Sequence, residues 1–221
     1  MSDIFIELPE GSRVRSATEH GISSWSRTAR IGVRLADETD RSFFLKVTPG
    51  ESGHGMMHGE FESMQAIHSV TPDFVPKPIA WGTFKSDPNL HFFLCEYVDM
   101  NGELPDIYQF SRKLAAMHQN STSPSGKFGF PITTYNGSLP QLNDWTETWE
   151  EFFANGLKHM LDLERAARGP SPDLDVLRPS LFHIIIPRLL RPLESGGRRI
   201  KPSLIHGDLW YGNVGTKTAT N

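Results

Sequence analysis

The chain has 221 residues, enough to bury a core in one domain or two small lobes. Apolar residues make up 38% and charged residues 22%, as in an ordinary globular protein, and a formal net charge of −4 leaves no basic footprint for nucleic acid. A single cysteine, Cys95, excludes an internal disulfide framework and fits a reducing, cytoplasmic setting. The acidic start, MSDIFIELPE, lacks a signal-peptide pattern, and no apolar run approaches the roughly 18 residues of a membrane span.

Residues 14–48 read as a three-stranded meander. Val14–Ala17 leads to a turn around His20 and Gly21, and a long alternating strand follows. On that strand Ala29, Ile31, Val33 and Leu35 share one face, while Thr28, Arg30 and Arg34 share the other. Asp37–Asp40 is the next turn, and Phe43–Val47 the third strand. Lys46 lies among Phe43, Phe44, Leu45 and Val47, where a partly buried cation needs an anionic partner. The helix predicted after Gly50–Gly55, running to about Val70, can supply one. Met57, Phe61, Met64 and His68 mark its inner stripe. At about 100° per residue, Glu60 falls about 60° from the centre of that stripe and Glu62 about 140°. Glu60 is therefore the expected partner. His54, His58 and His68 invite a metal reading, but the carboxylate of a zinc-binding helix is absent and His54 lies in a glycine-rich approach, so zinc is not expected.

Pro72, Pro76 and Pro78 end the helix. Two more strands follow, Ile79–Phe84 and His91–Val98, and then a polar break at Asp99–Glu103. From Pro105 the pattern turns helical, with Ile107, Phe110, Leu114 and Met117 facing inward. Ser121–Leu142 has no periodicity over more than twenty residues, which marks a functional loop. A second helix carries Trp149, Phe152, Phe153, Met160 and Leu163 inside and closes at Gly169-Pro170. A third helical region, about Leu174–Leu193, contains Pro179 and Pro187, and the second proline is expected to kink it. Arg198 and Arg199 belong to a solvated loop.

The most informative stretch is Ser203–Asn213. Leu204-Ile205 reads as a buried strand stopped by Gly207, with Asp208 after it and Asn213 five residues further on. In kinase-type phosphoryl transfer, an Asp in a tight loop accepts the proton of the attacking hydroxyl. An Asn five residues later holds Mg²⁺ on the nucleotide. Asp208 and Asn213 have that H-x-D-x-x-x-x-N spacing. The same chemistry gives Lys46 its partners, nucleotide phosphates and a helix glutamate. A five-stranded sheet carrying one helix, then a linker, then helices is the layout of a two-lobed kinase.

HGDLWYGN at 206–213 resembles the catalytic-loop signature of the fructosamine (ketosamine) 3-kinase family, and the chain looks most like its fungal, protein-ribulosamine 3-kinase-like members. The resemblance runs from about Val14 to Gly215. It includes the FGF…GxLPQ-x-N-x-W segment, carried by Phe128–Phe130, Gly137, Leu139–Gln141, Asn143 and Trp145. It implies an α+β, protein-kinase-like two-lobed fold. Residues 1–98 would form an N-lobe of five strands and one helix, and residues 99–221 an incomplete helical C-lobe with the catalytic loop at 206–213. The implied cofactors are ATP and Mg²⁺. Asp208 would be the base, Lys46 the phosphate clamp, Glu60 its orienter and Asn213 a metal ligand. Glu96, Tyr97 and Val98 would form the adenine-binding hinge, and the loop at His20–Ser24 would cover the nucleotide with Gly21 as its one glycine. The implied substrate is a ketosamine, ribulosamine or fructosamine, on a glycated protein or small amine. Its sugar 3-hydroxyl is phosphorylated to promote loss of the sugar. No nucleic acid or membrane is expected as a partner.

None of the eight residues after Asn213 is acidic, whereas a kinase holds its metal with a second Asp beyond the catalytic loop. The expectation is a kinase whose sequence stops before that site is complete. Two rivals accompany this reading: a related small-molecule kinase acting on an aminoglycoside or choline, and a non-catalytic pseudokinase. The Leu-Trp pair after Asp208 favours the ketosamine kinase over the first rival.

Overall fold

Alternating apolar residues build a five-stranded antiparallel sheet. The computed structural model describes residues 8–22 and 25–218. The strands are β1 (Arg13–Ile22), β2 (Arg27–Arg34), β3 (Asp40–Pro49), β4 (Pro78–Thr83) and β5 (Leu90–Glu96), in the spatial order β1-β2-β3-β5-β4. Ile31 and Val33 of β2, Phe43 and Leu45 of β3, and Phe92 and Leu94 of β5 are buried on one face with Leu8, Ala80 and Phe84. Ala29 and Leu35 pack against this core, as the alternation predicts. At β1, the predicted turn at His20-Gly21 is strand: Gly21 pairs with Thr28 and Ile22 with Arg27, after a bulge that absorbs the extra length. Ser23 and Ser24, part of the expected nucleotide-covering loop, lie outside the described residues.

The other face of the sheet is covered by α1 (Gly50–Val70), which packs on β3, β4 and β5. The helix starts at Gly50, earlier than the glycine-rich sequence suggests. Its first turn lies so close to β3 that a Cβ on Gly53 would stand 2.9 Å from the Thr48 carbonyl oxygen. A glycine there permits the approach rather than breaking the helix. Met56, Met57, Gly59 and Ile67 are buried, while Phe61, Met64 and His68 are half-buried, so the inner stripe is centred near Met57.

The chain forms two compact units, one of residues 1–121 with 204–221, the other of residues 122–203. Besides the sheet and α1, the first unit contains α2 (Ile107–Asn120). Asp106 caps α2 by accepting from the Gln109 amide at 2.9 Å. Of its predicted inner face, Met117 is fully buried and Phe110 and Leu114 are half-buried, but Ile107 is exposed. Ile107 occupies the first helical position, where the turn extends beyond the packed surface.

The second unit holds the long loop, the short hairpin β6 (Tyr135–Asn136) and β7 (Leu139–Pro140), and α3 (Trp149–Arg168). The loop is tied down: Phe128 and Thr146 exchange both backbone hydrogen bonds, and Asn143 donates to the Ile132 carbonyl and the Thr134 hydroxyl. Thr148 caps α3, and Trp149 lies against the rings of Phe128, Phe152 and Phe153. Phe153, expected inside, remains exposed within this unit. The third helical region is a run of α4 (Pro172–Ser180), a π-turn at Leu181–Ile185, α5 (Ile186–Leu190) and a 3₁₀ turn at Arg191–Glu194. The π-turn lies between Pro179 and Pro187, and the Ile186 amide reaches back to the Leu181 carbonyl. Widening the helix there accommodates two residues that break the regular ladder.

Candidate active site

Lys46 occupies the middle of the sheet, opposite Thr28 on β2 and Phe93 on β5. Its Nζ donates to Glu60 Oε2 of α1 at 2.7 Å, with side-chain exposures of 25% and 28%. An ion pair that is largely removed from water, and reaches from a central strand to a packed helix, is held by both elements. Glu62 turns the other way, its Oε1 3.7 Å from His58 Nε2. His58 stacks on Trp81 with ring centroids 4.1 Å apart, and His54 meets both Trp81 and His91 edge-on. These histidines pack against β4 and β5, and the described residues contain no cluster of three or more His, Cys, Asp or Glu that could hold a metal.

Beside Lys46, on the same face of the sheet, lies a recess of about 420 Å³ lined by Ser16, Thr18, His20, Arg30, Ser42 and Tyr97. Arg30 Nε donates to Ser42 Oγ at 3.0 Å, and its guanidinium lies 4.5 Å from the centre of the Tyr97 ring. The His20 ring meets Tyr97 and Phe44 edge-on. Sequence reading missed Arg30 and Ser42 as recess residues. The signal was present in their strand phase, which puts both on the Lys46 face. Glu96 ends β5 and donates its amide to the Lys77 carbonyl, and the Tyr97 amide donates to the Ser42 carbonyl. Val98 follows, half-buried.

At 203–213 the predicted strand is absent. Leu204 is half-buried and Ile205 is 58% exposed, with no strand neighbour to pair with. Gly207 adopts φ of 84°, a left-handed turn that favours glycine and reverses the chain just before Asp208. A 3₁₀ turn, Tyr211–Asn213, brings the amide back. Asn213 Nδ2 donates to both the carbonyl oxygen of Asp208 (3.0 Å) and its Oδ2 (2.7 Å). The five-residue spacing is thus the span of one closed loop. Asp208 N donates to His206 Nδ1 at 3.3 Å, which requires that nitrogen to be unprotonated. Burial holds the His206 pKa below its ordinary value, against a smaller opposing effect of Asp208. Both donor bonds of Asn213 use Nδ2, so its Oδ1 is the atom suited to a hard cation, next to the Asp208 carboxylate.

A five-stranded antiparallel sheet with one helix, a lysine–glutamate pair between them and a closed Asp–Asn loop in the same unit define an α+β protein of the kinase-like class. The fructosamine kinase family profile matches residues 17–221, and the chain belongs to that family. It is 31% identical over 182 residues to the chloroplastic protein-ribulosamine 3-kinase of Oryza sativa subsp. japonica, covering 82% of this chain and 50% of that one. It is 30% identical over 201 residues to the ketosamine-3-kinase of Mus musculus, covering 80% and 62%. The chain therefore spans about half the length of the rice relative. A solved candidate fructosamine-3-kinase from Thermobifida fusca superposes with a TM-score of 0.67 at 27% identity, covering 96% of this chain and 68% of that one. Another from Haemophilus somnus, at 19% identity and a TM-score of 0.64, covers 93% and 63% and shares the fold. No helix among the described residues is long and apolar enough to cross a membrane.

Proposed function

We propose that the whole protein phosphorylates ketosamines, ribulosamine or fructosamine, at the sugar 3-hydroxyl, with ATP as donor and Mg²⁺ as its counterion. The observation that carries this reading is the Asp208 carboxylate, exposed at a left-handed turn and oriented by Asn213 Nδ2 at 2.7 Å. One carboxylate oxygen is engaged by the amide, which leaves the other to receive a proton. The sugar 3-oxygen attacks the terminal phosphorus, the bond from phosphorus to the ADP oxygen breaks, and the hydroxyl proton passes to Asp208. Mg-ATP, when bound, supplies the phosphoryl group and the cationic charge that the transition state requires.

In this reading Lys46 clamps the nucleotide phosphates and Glu60 fixes the reach of its ammonium group. Glu96, Tyr97 and Val98 present the hinge to the adenine, with the recess at Tyr97 beside it. Asn213 Oδ1 contributes one neutral oxygen to the metal. Residues 1–98 act as the nucleotide-binding lobe and 99–221 as the catalytic-loop lobe. A glycated protein or a free ketosamine is the acceptor, and the buried, unpaired thiol of Cys95 suits a cytoplasmic repair enzyme. The test incubates the whole protein with Mg-ATP and ribulosamine-lysine, fructosamine-lysine, choline or an aminoglycoside, and follows products by ³¹P NMR. A sugar 3-phosphate formed only from the ketosamines is the expected result. Phosphorylation of choline or the aminoglycoside in preference to both ketosamines would overturn the substrate class.

A further inference from the structure

We propose that Ser121 is a positioning residue that pins the entrance of the catalytic loop, an inference that rests on the kinase reading of Asp208. Ser121 is 2% exposed. Its Oγ accepts from the Leu204 amide at 2.9 Å and donates to the His118 carbonyl at 3.2 Å. Its own amide donates to the carbonyl of Met117, a residue with no exposed surface, at 3.1 Å. One hydroxyl therefore joins the end of α2 to a segment 83 residues further along the chain.

Leu204 lies four residues before Asp208, at the point where the short apolar run Leu204-Ile205 reads as a strand and no strand forms. The following loop has little packing of its own: Ile205, Trp210 and Tyr211 are 58%, 50% and 76% exposed. Beyond Asn213 the chain is held again, by backbone bonds from Asn101 N to Thr216 O, Thr216 N to Glu103 O and Thr218 N to Asp99 O. The loop that carries Asp208 is thus a span between two anchors. The far anchor is main-chain pairing, which a side-chain change does not remove. The near anchor depends on a side-chain hydroxyl. Removing that hydroxyl leaves the Leu204 amide without its buried acceptor, an outcome that proteins avoid by moving the chain. A displacement of about 1 Å at the base is enough to cost about 10²-fold in rate.

The experiment compares the wild type with Ser121→Ala and Ser121→Thr, the latter keeping the hydroxyl. Amide hydrogen exchange is followed across the chain, Mg-ATP affinity is measured by calorimetry, and kcat and KM are measured with a ketosamine. In Ser121→Ala, exchange at 204–213 should rise roughly tenfold or more while β3 and β5 keep wild-type rates. Its kcat should fall by about 10- to 100-fold with the KM for ATP unchanged within about twofold, and Ser121→Thr should recover most of both losses. Unchanged exchange at 204–213 in Ser121→Ala would overturn the proposal. So would acceleration spread evenly over the sheet, or an intact kcat. A wild type that phosphorylates no ketosamine would refute the kinase reading, and the exchange pattern would still decide whether Ser121 holds the loop.

Discussion

Lys46 illustrates how much a single charge can organise. Set in an apolar strand, it cannot be solvated as a surface lysine is, and Glu60 meets it at 2.7 Å from the packed helix. Replacing it by methionine in the whole protein should keep the strand, since the chain remains apolar there, while raising the KM for ATP and lowering turnover. Asp208 differs because it is exposed and its partner, Asn213, is local. Asp208→Asn should therefore leave the melting temperature and ATP affinity near wild type and reduce kcat by about 10²–10⁴-fold. Stopped-flow turnover and calorimetry separate the two effects, and full activity in that variant would remove Asp208 from the role of base. Cys95 is a different kind of residue. Burial first, then the nearby Glu60 and Glu96, push its thiol up to about 12, so it is a packing group and no nucleophile at neutral pH.

Between strands and helices, packing depends on small residues and on a buried histidine. The β4–β5 edge buries His91, whose Nδ1 lies 2.8 Å from the Thr83 hydroxyl and whose ring faces His54. Burial first, then His54, lowers the His91 pKa below the ordinary value. The folded state therefore resists protonation that the unfolded chain accepts, so this stabilisation is complete above about pH 6.5 and is lost as pH falls through the lower folded value. Melting temperature measured from pH 7.5 down to 5 should drop, and His91→Gln should flatten that dependence. The α4–α5 run shows the opposite condition, with Val176, Leu177, Ile184 and Leu189 all more than half exposed in their unit. Large exposed apolar surface favours self-association. Leu177→Glu in residues 1–221 should lower light scattering at high concentration without changing helical content by circular dichroism. Equal scattering by both proteins would show that this stripe is not the adhesive surface.

Across the molecule, burial is uneven. Of the buried hydrophobic residues among those described, Phe128 and Ile186 belong to the unit of residues 122–203, and the others to the unit built on the sheet. Local opening free energy follows buried apolar contacts. Amides of β2, β3 and β5 should accordingly exchange slowest, and those of α3–α5 roughly tenfold faster or more. Hydrogen exchange with mass spectrometry on residues 1–221 checks this. Slower exchange in α3 than in β3 would show that the helical unit gains protection the structure does not explain.

Features read along the chain with a fixed period were legible without coordinates. The alternation of Ala29, Ile31, Val33 and Leu35 placed a core face, and the phase of α1 separated Glu60 from Glu62. The Asp208–Asn213 spacing matched a loop that closes on itself. Each of these depends on geometry internal to one strand, one helix or one turn, which the backbone sets by itself. The tertiary structure decided what depends on a distant neighbour. Leu204-Ile205 has the composition of a strand, yet pairing requires a free strand edge beside it, and the Ser121 hydroxyl takes that place instead. Ile107 and Phe153 fit inward stripes but lie where their units offer no covering surface. The start of α1 at Gly50 follows from the close approach of its first turn to Thr48, a contact that rewards glycines which propensity counts against a helix.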